Sequence, residues 1–228
     1  MRNASVMPQD TRFAAVLLAF LGGALDVFCH IRFKTLLATQ TGNIILLISD
    51  LKPDSWQMTL IKCLSIVFFS LGFVLGIWAK RRARTAYWRV WLLLPLLFCT
   101  AIFPLFLHAS SALSVSLLGF GTGLMMLTFT GSHIEAYPFT ILMTSGNYRR
   151  MLTAWYDYFS GERDFAVLMR ALSYATVVVS FICGGLGVSV LERVVGDYAL
   201  WVVTVALMIL LVYYCVAVYV DGLEERDV

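Results

Sequence analysis

The sequence predicts an all-α, polytopic membrane protein with about six transmembrane helices. They are expected to form two inverted three-helix repeats, each with a broken or re-entrant Gly-Asn segment. The composition supports a membrane protein, because 60% of the residues are hydrophobic and only 14% are charged, whereas soluble domains carry about 25% charged residues. The division into repeats, residues 1–110 and 111–228 of one integral membrane domain, follows from a polar motif that occurs twice.

Apolar runs locate the helices, since a helix of about 20 apolar residues spans the hydrocarbon core of a bilayer. The predicted spans cover residues 13–31, 58–79, 90–107, a fourth run that ends at 130, 167–191 and 198–220. The first run lacks a dense basic segment before it and a small-residue cleavage signal, so we interpret it as a retained span. All five cysteines fall within apolar runs, which makes a disulfide framework improbable.

The repeated motif consists of two polar, glycine-containing segments. The first Gly-Asn segment is residues 38–43, which end in Thr41-Gly42-Asn43, and the second is residues 140–147, which end in Ser145-Gly146-Asn147. Arg149 and Arg150 follow the second directly, and a charge at mid-bilayer costs at least ~2.5 kcal/mol. The second segment is therefore expected at the surface or along a wet vestibule, and the first is expected to re-enter the membrane. The alternative is that residues 35–51, about 25 Å long if helical, form an ordinary extra span.

These segments could present polar groups to a solute. Thr41 and Ser145 are residue types that cap helix N-termini, and the apolar run after Asn43 is expected to begin a half-helix. The N-terminus of such a helix exposes unbonded N–H groups and partial positive charge, which suit an anion or a polar oxygen. Asn43 and Asn147 each add a donor and an acceptor. The alternative is that all these residues only cap helices and satisfy a bent backbone.

Asp26 is the only acid inside a predicted span. An acid within the membrane is a candidate proton relay or cation partner. His30 lies one helical turn later, so the two side chains could share a proton near neutral pH. The alternative is a local ion pair between Asp26 and Arg32 or Lys34 near the outer interface.

The basic residues predict the orientation. Short cytoplasmic loops are rich in Lys and Arg, and the cluster at residues 80–89 is the strongest such signal. If this cluster lies in the cytoplasm, both termini are also cytoplasmic, and Arg2 lies there with the N-terminus. Three basic residues, Arg32, Lys34 and Lys52, are then left on the outer side. The glycine-rich motifs within the spans are expected to be packing seams inside the chain, with a homodimer face as the alternative.

The sequence also argues against several classes of function. No basic surface remains for nucleic acid once the membrane flanks are counted. Metal-ligand spacings such as HxxxH and HExxH are missing, and so are the nucleophile, P-loop and dinucleotide motifs. We therefore expect no metal, no cofactor and no enzymatic activity.

Two stretches resemble a known family. Gly22-Gly23-Ala24-Leu25-Asp26, followed by residues 38–44 (ATQTGNI), is similar to the YoaK-type bacterial membrane proteins, the DUF1275 or UPF0700 group. The resemblance implies a bacterial inner-membrane protein with six or so spans and supplies no substrate. The chain departs from the family in its second half, where Leu124-Met125-Met126 stand in place of polar Gln and Asn. Its second motif also reads Ser-Gly-Asn instead of Thr-Gly-Asn.

Together these patterns predict a small transporter or channel for a small polar or anionic solute, embedded in the bacterial inner membrane. The substrate would bind between the two segments, and the candidate residues are Asp26, Gln40, Thr41, Gly42, Asn43, Thr144, Ser145, Gly146 and Asn147. Asp26 and His30 are the candidates for proton coupling, and Arg149 and Arg150 for the cytoplasmic mouth. The alternative function is a non-transporting membrane scaffold or partner-binding subunit.

Overall fold

The computed structural model describes residues 6–50, 56–106, 110–134, 137–161 and 163–225, so Arg2 and Lys52 lie outside the described residues. The helices are α1 (Arg12–Phe33), α2 (Gln40–Ser49), α3 (Trp56–Lys80), α4 (Trp88–Phe106), α5 (Ser111–Phe129), α6 (Ser145–Ser160), α7 (Phe165–Val195) and α8 (Trp201–Asp221). A short antiparallel hairpin, β1 (His133–Ile134) with β2 (Tyr137–Pro138), precedes α6. One 3-10 turn, Pro8–Asp10, precedes α1, and another, Gly196–Leu200, joins α7 to α8.

Five helical stretches in the described part are long and apolar enough to cross a membrane. They are Arg12–Phe33, Trp56–Lys80, Trp88–Leu105, Ser111–Phe129 and Phe165–Asp221. The last is 57 residues long and contains α7, a 3-10 turn and α8, so it covers the fifth and sixth predicted spans. The prediction of an all-helical, polytopic membrane protein is confirmed at this level.

Glycine faces allow two pairs of helices to pack at very short distance. The first pair is α1 with α7. A Cβ atom added to Gly23 would lie 2.0 Å from the backbone oxygen of Phe181, and one added to Gly184 would lie 2.1 Å from that of Phe20. Any larger residue at either position would force the two backbones apart, since packed interiors tolerate little extra volume.

The second pair, α3 with α5, repeats the same contacts. A Cβ atom at Gly72 would lie 2.1 Å from the backbone oxygen of Phe120, and one at Gly123 would lie 2.1 Å from that of Phe69. In each of the four helices the glycine follows a phenylalanine by three residues, and the phenylalanine carbonyl faces the partner's glycine. These glycines therefore form packing seams within the chain.

One end of the bundle, which we call the basic end, carries the start of α1 and the end of α8. There the Tyr213 hydroxyl donates a hydrogen bond to Thr11 Oγ1 at 3.0 Å, and the Ala86 N–H donates to the Glu224 backbone oxygen at 2.7 Å. Arg89 at the start of α4 binds a carbonyl at the end of α5. Because Ala86 also follows α3 closely, the C-terminal end of α3 lies at this end too.

The opposite end, which we call the distal end, therefore holds the end of α1 and the start of α3. Between them, α2 runs back toward the start of α3. Asn43, in the first turn of α2, bonds Ser65, whereas Asp50, just after α2, bonds Lys62. Lys62 is closer than Ser65 to the N-terminus of α3, so the chain approaches the distal end as α2 proceeds. With ten residues, α2 is only about 15 Å long.

Candidate functional site

Asn43 holds the non-helical loop that precedes α2, residues 34–39. Its side-chain oxygen accepts hydrogen bonds from the Leu36 N–H at 2.7 Å and the Thr35 hydroxyl at 3.0 Å. Its amide donates to the Leu36 oxygen at 2.6 Å, to Gln40 Oε1 at 2.9 Å and to Ser65 Oγ at 3.1 Å. The side chain is fully buried, and these five bonds use both of its polar atoms.

Asn147 holds the loop before α6, residues 139–144, in the same way. Its oxygen accepts from the Thr140 N–H at 2.8 Å, and its amide donates to the Thr140 oxygen at 2.7 Å and the Met143 oxygen at 2.9 Å. Thr140 lies seven positions before Asn147 in the chain, just as Leu36 lies seven positions before Asn43. We assign both asparagines as positioning residues, because their polar atoms are committed to the loops.

The helix starts differ from the predicted caps. α2 begins at Gln40 with Thr39 as its N-cap, and α6 begins at Ser145 with Thr144 as its N-cap, so the expectation that Thr41 and Ser145 are caps was wrong. Neither true cap residue uses its side chain to bond its helix. For Thr39 the reason is visible, since its hydroxyl donates to Asp26 Oδ2 at 2.6 Å.

Asp26 ties the first loop to α1. Oδ1 of the carboxylate accepts hydrogen bonds from the backbone N–H groups of Leu37 at 2.8 Å and Ala38 at 2.7 Å. With the Thr39 hydroxyl, three donors from consecutive loop residues converge on one carboxylate that is 5% exposed. Asp26 therefore supplies the acceptors that unpaired backbone N–H groups need in an apolar surrounding.

The structure does not contain the ion pair of Asp26 with Arg32 or Lys34 that was the alternative to a proton relay. Arg32 instead pairs with Asp197 and, at 3.5 Å, with Glu192, so it joins α1 to the end of α7 and the following turn. In the described part of the chain, no cationic side chain lies within ion-pair distance of the Asp26 carboxylate. His30, the proposed proton partner, is exposed and makes no described hydrogen bond to Asp26.

The two loops contact α1 one helical turn apart. A Cβ atom at Gly22 would lie 2.3 Å from the backbone oxygen of Leu142, which belongs to the second loop and has a positive φ of 58°. One helical turn further along α1, Asp26 binds Leu37 and Ala38 of the first loop. Two non-helical stretches that precede different helices thus pack against the middle of the same helix.

An open groove of about 610 Å³, here the Asp26 groove, lies beside the first loop between α1, α2 and α7. It is lined by Asp26, Val27, His30, Ile31, Leu36, Gly42, Ile45, Leu46, Phe181 and Ser189. Gly42 allows the loop to fold tightly, because a Cβ atom there would lie 2.6 Å from Leu36 Cδ1. The groove brings together three of the predicted site residues, Asp26, His30 and Gly42.

The other predicted site residues occupy varied surroundings. Gln40 bonds the loop through its amide, which donates to the Leu37 oxygen at 2.7 Å, whereas Thr41, Ser145 and Arg149 are exposed. Arg150 donates to Thr140 Oγ1 at 3.2 Å, and that same hydroxyl oxygen lies 2.8 Å from where a Cβ atom of Gly146 would be.

Thr144 differs from these residues, because its hydroxyl oxygen is buried and has no hydrogen-bond partner within the described residues.

A buried cation escaped the sequence analysis. Lys62 lies inside α3, is fully buried, and bonds Asp50 Oδ2 at 2.6 Å. Ser65, one turn later, is also buried and donates to the Leu36 oxygen at 2.8 Å. The available signal was a single lysine within an otherwise apolar run, three residues before a serine. Together they attach α2 and the first loop to α3.

Comparison with known proteins identifies the family. The model of DUF1275, described as a protein of unknown function, matches residues 14–213, which include both loops and most of the helical bundle. No curated protein and no solved structure gives a significant match. The matched region spans most of the 228 residues, so the chain belongs to the DUF1275 family.

Proposed function

We propose that this protein is a transporter or channel that carries a small polar solute across the membrane, along a path between the two loops. The observation that carries the proposal is that both loops contact α1 within one helical turn, one at Gly22 and the other at Asp26. Within a bilayer, non-helical backbone is stable only where protein buries it or where it lines a wet cavity. In transporters such helix interruptions commonly form the substrate site.

An inverted repeat would explain why there are two such loops. We infer that α1–α4 and α5–α8 are two copies that insert in opposite directions, each with three spans and one short re-entrant helix. The Phe-x-x-Gly contacts support this arrangement, since Phe20 and Gly23 in α1 correspond to Phe120 and Gly123 in α5. Asn43 and Asn147 support it independently, because the side chain of each binds the backbone of the residue seven positions earlier.

The distribution of charge supports an orientation with the basic end in the cytoplasm of a bacterial cell. Described cations at that end are Arg12, Lys80, Arg81, Arg82, Arg84, Arg89, Arg163 and Arg170, an excess typical of a cytoplasmic face. Both termini would then be cytoplasmic. Arg149 and Arg150 would flank the inner mouth and could attract an anion, but Asp26 on the outer half would repel one. Of the two solute classes considered, a small polar solute is therefore favoured.

Thr144 provides a direct test, because its buried hydroxyl has no protein partner in the described part of the chain and lies at the second loop. In proteoliposomes, influx of urea, glycine and glycerol would be followed by stopped-flow light scattering. We expect flux of at least one of them, and Thr144→Val should lower that flux about fivefold, as expected for the loss of one hydrogen bond worth about 1 kcal/mol.

Thr204→Val is the matched control, since Thr204 also has a buried, unpartnered hydroxyl in the described structure but lies in α8. This variant should transport at the wild-type rate. Absence of flux for all three solutes would overturn the proposal and favour a membrane scaffold. Equal flux through wild type and Thr144→Val would remove the loops from the path.

A further inference from the structure

We propose that the Asp26 groove is a binding site for a hydrophobic organic cation, with the Asp26 carboxylate as its counter-ion. The ligand class is an apolar body with one positive centre, such as a quaternary ammonium or phosphonium ion. This inference goes beyond the proposed function, because its ligand is an apolar cation and the proposed solute is small and polar.

The first argument is the unbalanced charge of Asp26. The carboxylate is 5% exposed and lines the groove, and no described cationic side chain pairs with it. Its three hydrogen bonds from the first loop come from neutral donors and therefore leave its negative charge without a counter-ion. A carboxylate in an apolar environment is strongly stabilised by an opposite charge, and acids in membrane spans commonly serve as counter-ions of ligands.

The second argument is the lining of the groove. Apart from Asp26, its polar lining side chains are His30 and Ser189, and the others are aliphatic or aromatic. The aromatic ring of Phe181, on α7, can face a cation favourably. A volume of about 610 Å³ falls within the range of small-molecule sites, roughly 300–1,000 Å³. A small, strongly hydrated ion would gain little from such walls, whereas an apolar cation would bury its surface there.

The third argument is that the carboxylate occurs on one side only. Under the correspondence of Phe20 with Phe120 and Gly23 with Gly123, the position of Asp26 matches Met126 in α5. The second loop instead has Arg149 and Arg150 nearby. A cation is thus attracted to the groove of the first repeat and repelled from the neighbourhood of the second.

The test uses two ions of nearly the same size and shape, tetraphenylphosphonium and tetraphenylborate, which carry opposite charges. Binding of each to the full chain in phosphatidylcholine nanodiscs would be measured by equilibrium dialysis against empty nanodiscs. We expect saturable binding of the cation and none of the anion. Asp26→Asn should weaken cation binding at least tenfold, whereas Glu224→Gln, the same charge change at the basic end, should leave it unchanged.

Ile45→Trp tests the site without altering the bonds between Asp26 and the loop. Ile45 lines the groove and is 68% exposed. The larger side chain of tryptophan at this position should therefore fill the groove and abolish cation binding, while the thermal unfolding temperature stays at the wild-type value. Equal binding of both ions, as for a groove that takes lipid chains, would overturn the inference. So would full cation binding by Ile45→Trp or by a folded Asp26→Asn variant.

The binding result and the flux result are independent of each other. Charge-selective, Asp26-dependent binding without flux of any solute would retain this inference and overturn the transport proposal. Flux that depends on Thr144, without charge-selective binding at Asp26, would do the reverse.

Discussion

Replacing Asn43 by leucine should be among the most destabilising single changes in the chain. Leucine has the same number of side-chain heavy atoms and the same branching at Cγ but removes five hydrogen bonds. The Leu36 oxygen keeps its bond from Ser65, whereas the Thr35 hydroxyl and the Leu36 N–H lose the acceptor that Asn43 supplied. A buried donor without an acceptor costs about 1–3 kcal/mol, so two such donors predict a loss of about 2–6 kcal/mol.

A second estimate gives a similar figure. Hydrogen bonds between side chains in a membrane protein average about 0.6 kcal/mol; the same average applied to all five Asn43 bonds, three to side chains and two to the Leu36 backbone, gives about 3 kcal/mol. Asn147→Leu removes three bonds and leaves one donor, the Thr140 N–H, without its acceptor. Its expected cost is therefore smaller, about 1–3 kcal/mol.

The assay is unfolding of the purified protein in dodecyl maltoside by added sodium dodecyl sulfate, followed by tryptophan fluorescence. Thr130→Val is the control, because its hydroxyl bonds only its own helix at an exposed position and should change the unfolding free energy by less than about 0.5 kcal/mol. If Asn43→Leu lowers the unfolding free energy no more than the control does, or less than Asn147→Leu does, the assignment of Asn43 and Asn147 as positioning residues is refuted.

Two further predictions use the same unfolding assay. Gly72→Ala should lower the unfolding free energy by about 1–3 kcal/mol, because its Cβ atom would lie 2.1 Å from the Phe120 oxygen. Gly187→Ala in α7 has nothing within 4 Å of its Cβ atom and should be neutral or stabilising by up to about 1 kcal/mol. Equal effects of the two variants would contradict the close packing of α3 against α5. Asp50→Asn should destabilise more than Lys62→Met, because Asp50→Asn leaves a fully buried cation without this partner, whereas Lys62→Met leaves a carboxylate that is 41% exposed. The opposite order would show that the Lys62 ammonium group is not buried.

The positions of the long helices could be predicted from the sequence because their signal is local. The run predicted at residues 58–79 became α3, Trp56–Lys80, and the run at 167–191 became most of α7, Phe165–Val195. Hydropathy over about 20 residues is enough for such assignments. The same averaging concealed Lys62, because one charge barely lowers the mean hydropathy of a long apolar run.

The arrangement of the loops could be predicted only in part. The two Gly-Asn motifs lie where α2 and α6 begin, but the role of Asn43 depends on where Leu36 lies after the chain has turned back. Lys34 makes that turn with a left-handed φ of 55°, which few residues other than glycine adopt. The position of Thr39 as the residue before α2 was missed too, and its hydroxyl donates to Asp26, thirteen residues earlier, instead of capping the helix.

The pairing of α1 with α7 has a consequence for biosynthesis. The ribosome completes α1, Arg12–Phe33, long before it reaches α7, Phe165–Val195. Throughout that interval the glycine face of α1 has no partner and is covered by lipid or by the insertion machinery. A nascent chain terminated after α6 should therefore remain a substrate for membrane proteases, even though it already contains both loops and the whole of the pair formed by α3 and α5.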